Sequence, residues 1–144
     1  MSRPTIANRE LTERPVDIAF DQSAPRTLLV RITGEFDGDV VDALTDGLDK
    51  RLPASKSRRL VLDLSQVTSL APPALSFLLR LRRRCRVGRL HLALVGVAQP
   101  AVNKPLRMSG ALPLFDVRPT VDSAIRPGPT VDSRRDARRD APPR

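Results

Sequence analysis

Hydrophobic residues along this chain change their spacing several times, and each change marks an element. Val16, Ile18 and Phe20 alternate with Asp17 and Ala19, the period of two that a half-buried strand requires. Leu28–Thr33 (LLVRIT) predicts a second strand, and the short polar link at 21–26 predicts a hairpin between the two. From Asp39 to Leu52 the period lengthens. Val40, Val41, Leu44, Leu48 and Leu52 recur every three or four residues, and acids crowd the first turns, where a helix dipole favours negative charge. Arg59–Leu64 (RLVLDL) is the continuous apolar run of a buried central strand. Ala74, Leu75, Phe77, Leu78, Leu81 and Cys85 form a helical stripe, with Arg80, Arg83 and Arg84 off it and Gly88 placed to stop it. Arg89–Val95 predicts a strand with Leu90, Leu92 and Leu94 on one face. Pro100–Met108 reads as a short helix that Pro105 should kink or shorten. Leu114–Val117 predicts a last strand, and a helical turn begins near Thr120.

The resulting order is β-β-α-β-α-β-α-β-α. Strands separated by crossover helices predict a mixed, mostly parallel sheet of four to five strands, with helices mainly on one face. The fold class is therefore α/β, in one domain spanning residues 15–126. Residues 1–14 are polar and without period, and read as a flexible lead. Residues 127–144 are rich in Pro, Arg and Asp, and read as a disordered tail. The phrase Pro119-Thr120-Val121-Asp122-Ser123 recurs as Pro129-Thr130-Val131-Asp132-Ser133, too short a repeat for a repeat architecture.

Charge alters this picture by its placement more than by its sum. The 144 residues carry 25 Lys and Arg against 16 Asp and Glu, a net charge of +9. Residues 32–49 hold six acids (Glu35, Asp37, Asp39, Asp42, Asp46, Asp49) and no base, whereas residues 80–89 hold six Arg and no acid. With four Phe, no Tyr and no Trp, the chain lacks the stacking surfaces of single-strand binders, which weighs against nucleic acid as a partner. One cysteine (Cys85) and one histidine (His91) exclude an internal disulfide framework and thiolate or two-histidine metal sites. No apolar run reaches the roughly 18 residues of a membrane span, and the first 15 residues lack a signal-peptide core. The expected location is the cytoplasm.

Four stretches together resemble the STAS domain, the family of sulphate transporters and anti-sigma factor antagonists, and in particular its bacterial antagonist branch. Leu29–Asp37 (LVRITGEFD) is similar to the family's strand followed by Gly-Glu-Leu-Asp. Leu60–Thr68 (LVLDLSQVT) is similar to its central strand and following loop. Gly88–Gly96 resembles its fourth strand, and Leu106–Phe115 its third helix and closing strand. The resemblance implies a non-enzymatic regulator that works by protein–protein binding, with a kinase-like anti-sigma factor or a related regulatory protein as partner. It implies no cofactor, no metal and no catalytic residue, in a monomer or homodimer.

One segment departs from the family. After the central strand the family has Asp-Ser-Ser-Gly-Leu opening the next helix, and one of these serines accepts phosphate from the partner. Here Val67-Thr68-Ser69-Leu70 is followed by Ala71-Pro72-Pro73-Ala74-Leu75. Proline has no hydroxyl, so the resemblance predicts a helix start near Pro73 that cannot be phosphorylated. By the same resemblance, the partner-binding surface comprises Glu35, Asp37, Thr68, Ser69, Ala71, Pro72, Pro73, Ala74 and Ser76. Ser69, read as a loop residue, and Ser76, read as solvent-facing, are set aside as displaced phosphate acceptors. Asp63, Asp37 and Glu35 at strand ends are set aside as a metal site, because no histidine joins them. The arginine run reads as a solvated helix face, with an acidic partner or an anionic membrane surface as the sharper alternative. Two other functional readings stand beside the first: a small-ligand or anion sensor at the same helix start, and a basic binder of nucleic acid or membrane surface.

Overall fold

The computed structural model describes residues 17–53 and 56–126. The lead at 1–14, the tail at 127–144 and Val16 lie outside the described residues. The elements in chain order are β1 (Asp17–Asp21), β2 (Thr27–Phe36), α1 (Gly38–Arg51), β3 (Arg59–Leu70), α2 (Pro72–Val87) and β4 (His91–Val95). They continue with α3 (Pro100–Met108), a 3-10 turn (Leu112–Leu114), β5 (Asp116–Arg118) and α4 (Val121–Ile125). The sheet order is β1-β2-β3-β4-β5, with β1 antiparallel to β2 and every other pair parallel. The expected α/β class and element order hold.

Strand alternation divides the apolar residues between two faces. Leu28, Val30 and Ile32 of β2, Leu60, Leu62 and Leu64 of β3, and Leu94 of β4 join Val40, Leu44, Leu48, Leu78, Leu81, Val102 and Leu106 in the main core. That core lies between the sheet and α1, α2 and α3. On the reverse face Leu29, Val61, Ala93 and Val95 meet Ala124 of α4, with Val121 and Ile125 packed beside them. The hairpin edge is tied to the helical layer by Phe20. A Cβ at Gly47 would stand 2.4 Å from the tip of the Phe20 ring, so glycine leaves the notch that the ring fills. The Arg51 guanidinium then lies 3.9 Å from the ring centroid.

Several boundaries differ from expectation, each for a physical reason. β3 does not end at Leu64; it runs to Leu70, because β2 extends beside it to Phe36 and keeps pairing. Two register shifts in that pairing change the buried spacing to Leu64, Val67 and Leu70, which masks the strand period. Thr68 and Ser69 are thus strand residues, not loop residues. Leu114 belongs to a 3-10 turn built on Pro113, and β5 starts only at Asp116. α3 continues past Pro105 to Met108, so the proline does not end it. α2 begins at Pro72 rather than Pro73, since both ring-fixed prolines occupy first-turn positions that need no donor. Gly88 caps α2 at φ −85°, and the left-handed position falls on Arg89 at φ 61°. The Leu90 N–H closes that cap by donating to the Cys85 carbonyl at 2.8 Å.

Candidate functional site: the start of α2

In a parallel βα arrangement helix starts gather at the carboxyl ends of the strands, where ligands and partners meet the fold. Here Glu35 is level with Ser69 and Phe36 with Leu70. The Ala71 N–H donates to the Phe36 carbonyl at 3.0 Å, so the strand ladder runs into the helix start without a loop. Asp37 caps α1, its carboxylate accepting from the Val40 N–H at 3.2 Å. Glu35, Asp37, Ser69 and the Ala71–Ala74 segment are therefore brought to one end of the molecule. Thr68 and Ser69 are exposed because β4 stops level with Asp63, leaving the last part of β3 with no β4 neighbour. Ser76 is exposed one turn into α2, as expected, and Ala74 is buried against the core.

The chemistry of this helix start is set by what its first turn has spent. Ala71 is extended (φ −79°, ψ 160°) and offers no side-chain cap. Pro72 and Pro73 have no N–H. The next two donors, Ala74 N–H and Leu75 N–H, both bond the Ala71 carbonyl, at 2.9 and 3.2 Å. The first turn thus holds neither a hydroxyl to modify nor a spare backbone donor for an anion, whereas helix starts ordinarily present several. Exposed Pro72 and Pro73 leave an uncharged, rigid corner between the carboxylates at the end of β2 and the rest of α2.

Asp63 stands apart from Glu35 and Asp37. It lies inside β3, paired with Arg31, and its side chain is only 9% exposed. Its carboxylate accepts from Ser65 N–H at 3.0 Å, Ser65 Oγ at 2.7 Å and Arg31 Nε at 3.2 Å. Gly96, at φ +83°, packs directly on Ser65, and Gln99 Nε2 donates to the Leu64 carbonyl at 2.6 Å. These contacts hold the middle of β3 in place; they are structural. Among the described residues no three His, Cys, Asp or Glu side chains are placed to hold a metal ion.

A polar cluster that the sequence reading did not assemble lies elsewhere. His91 Nε2 is 2.6 Å from Asp116 Oδ2, and Arg118 donates to the same carboxylate through Nε at 2.8 Å and Nη2 at 3.1 Å. Burial alone would raise the pKa of Asp116, but the hydrogen bonds and charges of His91 and Arg118 outweigh it and hold the carboxyl well below the usual range. His91 and Asp116 are separated by 25 residues, so no local motif joins the histidine to the Asp116–Arg118 pair. Cys85 is buried, and burial pushes its thiol up to about 11 despite the nearby Arg84. It is a packing residue.

Residues 19–112 match the family described as "Mlab, STAS domain", and the chain belongs to that family. No curated protein sequence matches it significantly. Among solved structures, an anti-sigma factor antagonist from Mycobacterium paratuberculosis superposes with a TM-score of 0.61 at 24% identity, over 76% of this chain and 90% of that one. The anti-sigma factor antagonist SpoIIAA of Bacillus, in its unphosphorylated form, gives 0.64 at 15% identity, over 83% and 96%. A sulfate transporter family protein from Wolinella succinogenes gives 0.63 at 20% identity, over 72% and 86%. At these identities the likeness establishes the fold. Among the described residues, no helix is long and apolar enough to cross a membrane.

Proposed function

We propose that this chain is a non-enzymatic, cytoplasmic regulator of the anti-sigma factor antagonist type, with residues 15–126 as its working unit. It binds a kinase-like anti-sigma factor or a related regulatory protein. The docking surface is formed by Glu35, Asp37, Thr68, Ser69, the Ala71–Ala74 corner and Ser76. The observation that supports this reading is the first turn of α2, which opens directly from the end of β3 beside Phe36 and holds no hydroxyl and no unpaired donor. A partner docked on the Ala71–Ala74 corner meets a surface with no hydroxyl to phosphorylate, so the corner itself offers no phosphate switch. The same observation weighs against an anion sensor at this helix start, because nothing there is left to receive the anion.

The test pairs the purified chain with kinase-type anti-sigma factors of its own genome, by titration calorimetry with and without ATP. Binding that is unchanged by ATP, with no phosphate on the chain by mass spectrometry, is the expected result. The variant Ala71→Asp, Pro72→Ser, Pro73→Ser, Ala74→Gly restores the family motif. It should take up one phosphate and then lose affinity, because a charge of about −2 enters a neutral contact. Failure to bind any such partner would refute the assignment, and phosphate on wild-type Ser69 or Ser76 would show a switch that had moved.

A further inference from the structure

The end of the molecule opposite the α2 start carries its own chemistry. β2, β3 and β4 begin level with one another, with Thr27 beside Arg59 and Arg59 beside His91. The residues just before them are stitched together through the backbone: Arg58 N–H donates to the Arg26 carbonyl at 2.8 Å, and His91 N–H to the Arg58 carbonyl at 2.9 Å. α2 ends at this same edge, because its cap runs through Gly88 and Arg89 straight into β4. The topology therefore collects Arg26, Lys56, Arg58, Arg83, Arg86 and Arg89 on one pole, all of them exposed. None of these six side chains makes an ion pair or hydrogen bond among the described residues.

The carboxylates nearest this pole are already engaged: Asp21 with Ser23, Asp49 with Arg84, and Asp116 with His91 and Arg118. The acids of residues 35–42 stand at the opposite end, beside the α2 start. The acids at 35–42 and the six basic residues of this pole thus stand at opposite ends of the fold, while Asp49, later in the acidic stretch, pairs with Arg84. Within the basic pole sits Val87, 80% exposed, with Leu79 (38% exposed) two turns earlier on α2. A shallow groove of about 570 Å³, lined by Leu79, Arg82, Arg83, Arg86 and Val87, runs between them.

We propose that this pole is a docking platform for an anionic phospholipid surface. Unpaired guanidinium groups meet lipid phosphates, and Val87 enters the boundary between headgroups and acyl chains. An apolar side chain ringed by arginines decides between a bilayer and a nucleic acid: a duplex offers phosphates to the arginines but nothing for Val87 to bury against. The acidic end excludes the opposite orientation, since those carboxylates are repelled by the same surface. Docked this way, the chain holds the Ala71–Ala74 corner away from the membrane, free for a protein partner. This inference goes beyond the partner-binding reading and does not depend on it.

The experiment is co-sedimentation of the full chain with vesicles containing phosphatidylglycerol, against vesicles of pure phosphatidylcholine, at low and high salt. Binding to the anionic vesicles alone, weakened by salt, is expected. Each basic residue close to an anionic leaflet contributes about fivefold, so neutralising Arg58, Arg83 and Arg86 together to Gln should weaken partitioning about a hundredfold. Val87→Ala keeps every charge and should weaken it on the order of fivefold. Far-UV circular dichroism that overlays the wild type confirms that the variants fold, and Val87→Ala supplies an independent reading if the triple variant does not. Equal binding to neutral vesicles overturns the proposal, as does binding unaltered by the pole variants, which would place it elsewhere in the chain. Retention on duplex DNA that is insensitive to Val87→Ala, without vesicle binding, overturns it in favour of nucleic acid.

Discussion

Gly96→Ala tests how tightly the middle of β3 is held. A Cβ on Gly96 would stand 2.3 Å from the Ser65 nitrogen and 2.5 Å from its Cα, and both are backbone atoms that cannot rotate away. The residue also sits at φ +83°, where an L side chain costs about 1–2 kcal/mol. Forced overlap in a packed site adds about 1–3 kcal/mol, so the variant should lose about 2–5 kcal/mol of a reserve of about 5–15 kcal/mol. Gly110→Ala is the matched control: Gly110 has φ +79° but nothing within 4 Å of an added Cβ, so it should lose only the backbone cost of about 1–2 kcal/mol. Urea unfolding of both variants, with the denaturant slope unchanged, gives the two losses directly. The difference between them isolates the overlap with Ser65. Equal losses at the two glycines would refute the claim that Gly96 is required by close approach, leaving backbone conformation as the whole effect.

Three further outcomes follow from the geometry. Leu62→Ala and Leu78→Ala each empty a fully buried site and should cost about 2–5 kcal/mol in the same unfolding assay; losses below about 1 kcal/mol would displace these residues from the core. Because the Asp116 carboxyl is held well below its unfolded value, its stabilisation is complete above about pH 4 and shrinks progressively as pH falls further. Asp116→Asn should therefore lower the melting temperature at neutral pH, while the gap to wild type narrows steadily as pH falls below about 5; a gap independent of pH would count against the ion cluster. Cys85, buried with its thiol raised to about 11, should react with an aromatic disulfide reagent at neutral pH only as fast as the protein unfolds. Rapid labelling of the native protein would expose an error in the packing of α2.

The features legible in the sequence were those written in local spacing. The stripes Val40–Leu48 and Ala74–Cys85 predicted α1 and α2, and the acids of the first turns and the paired prolines mark their starts within one residue. The illegible features depend on residues far apart. Leu64, Val67 and Leu70 lose the strand period because the β2–β3 register shifts twice, so β3 appeared half its true length. Arg89 carries no sign that it takes the left-handed position, since glycine stands immediately before it. His91, Asp116 and Arg118 become neighbours only when β4 and β5 pair. The candidate site was readable as a departure from a family motif. That its first-turn donors are already used was not, because hydrogen bonds to the Ala71 carbonyl leave no mark in composition.

The notch at Gly47 bears on how the sheet opens. β1 has a neighbour on one side only, and beyond its ladder to β2 it is tethered to the core by Ile18 and by the Phe20 ring, seated over Gly47 and covered by Arg51. When that ring leaves its seat, the hairpin can peel away without disturbing α2, α3 or the parallel strands. The amides of β1 should then exchange with solvent long before those of β3, through a local opening well below the energy of global unfolding. Each such opening bares the edge of β2, whose Leu28, Val30 and Ile32 are fully buried in the closed state, as a template for another chain. The glycine in the middle of α1 thus acts at a distance: it sets how often the sheet shows an edge.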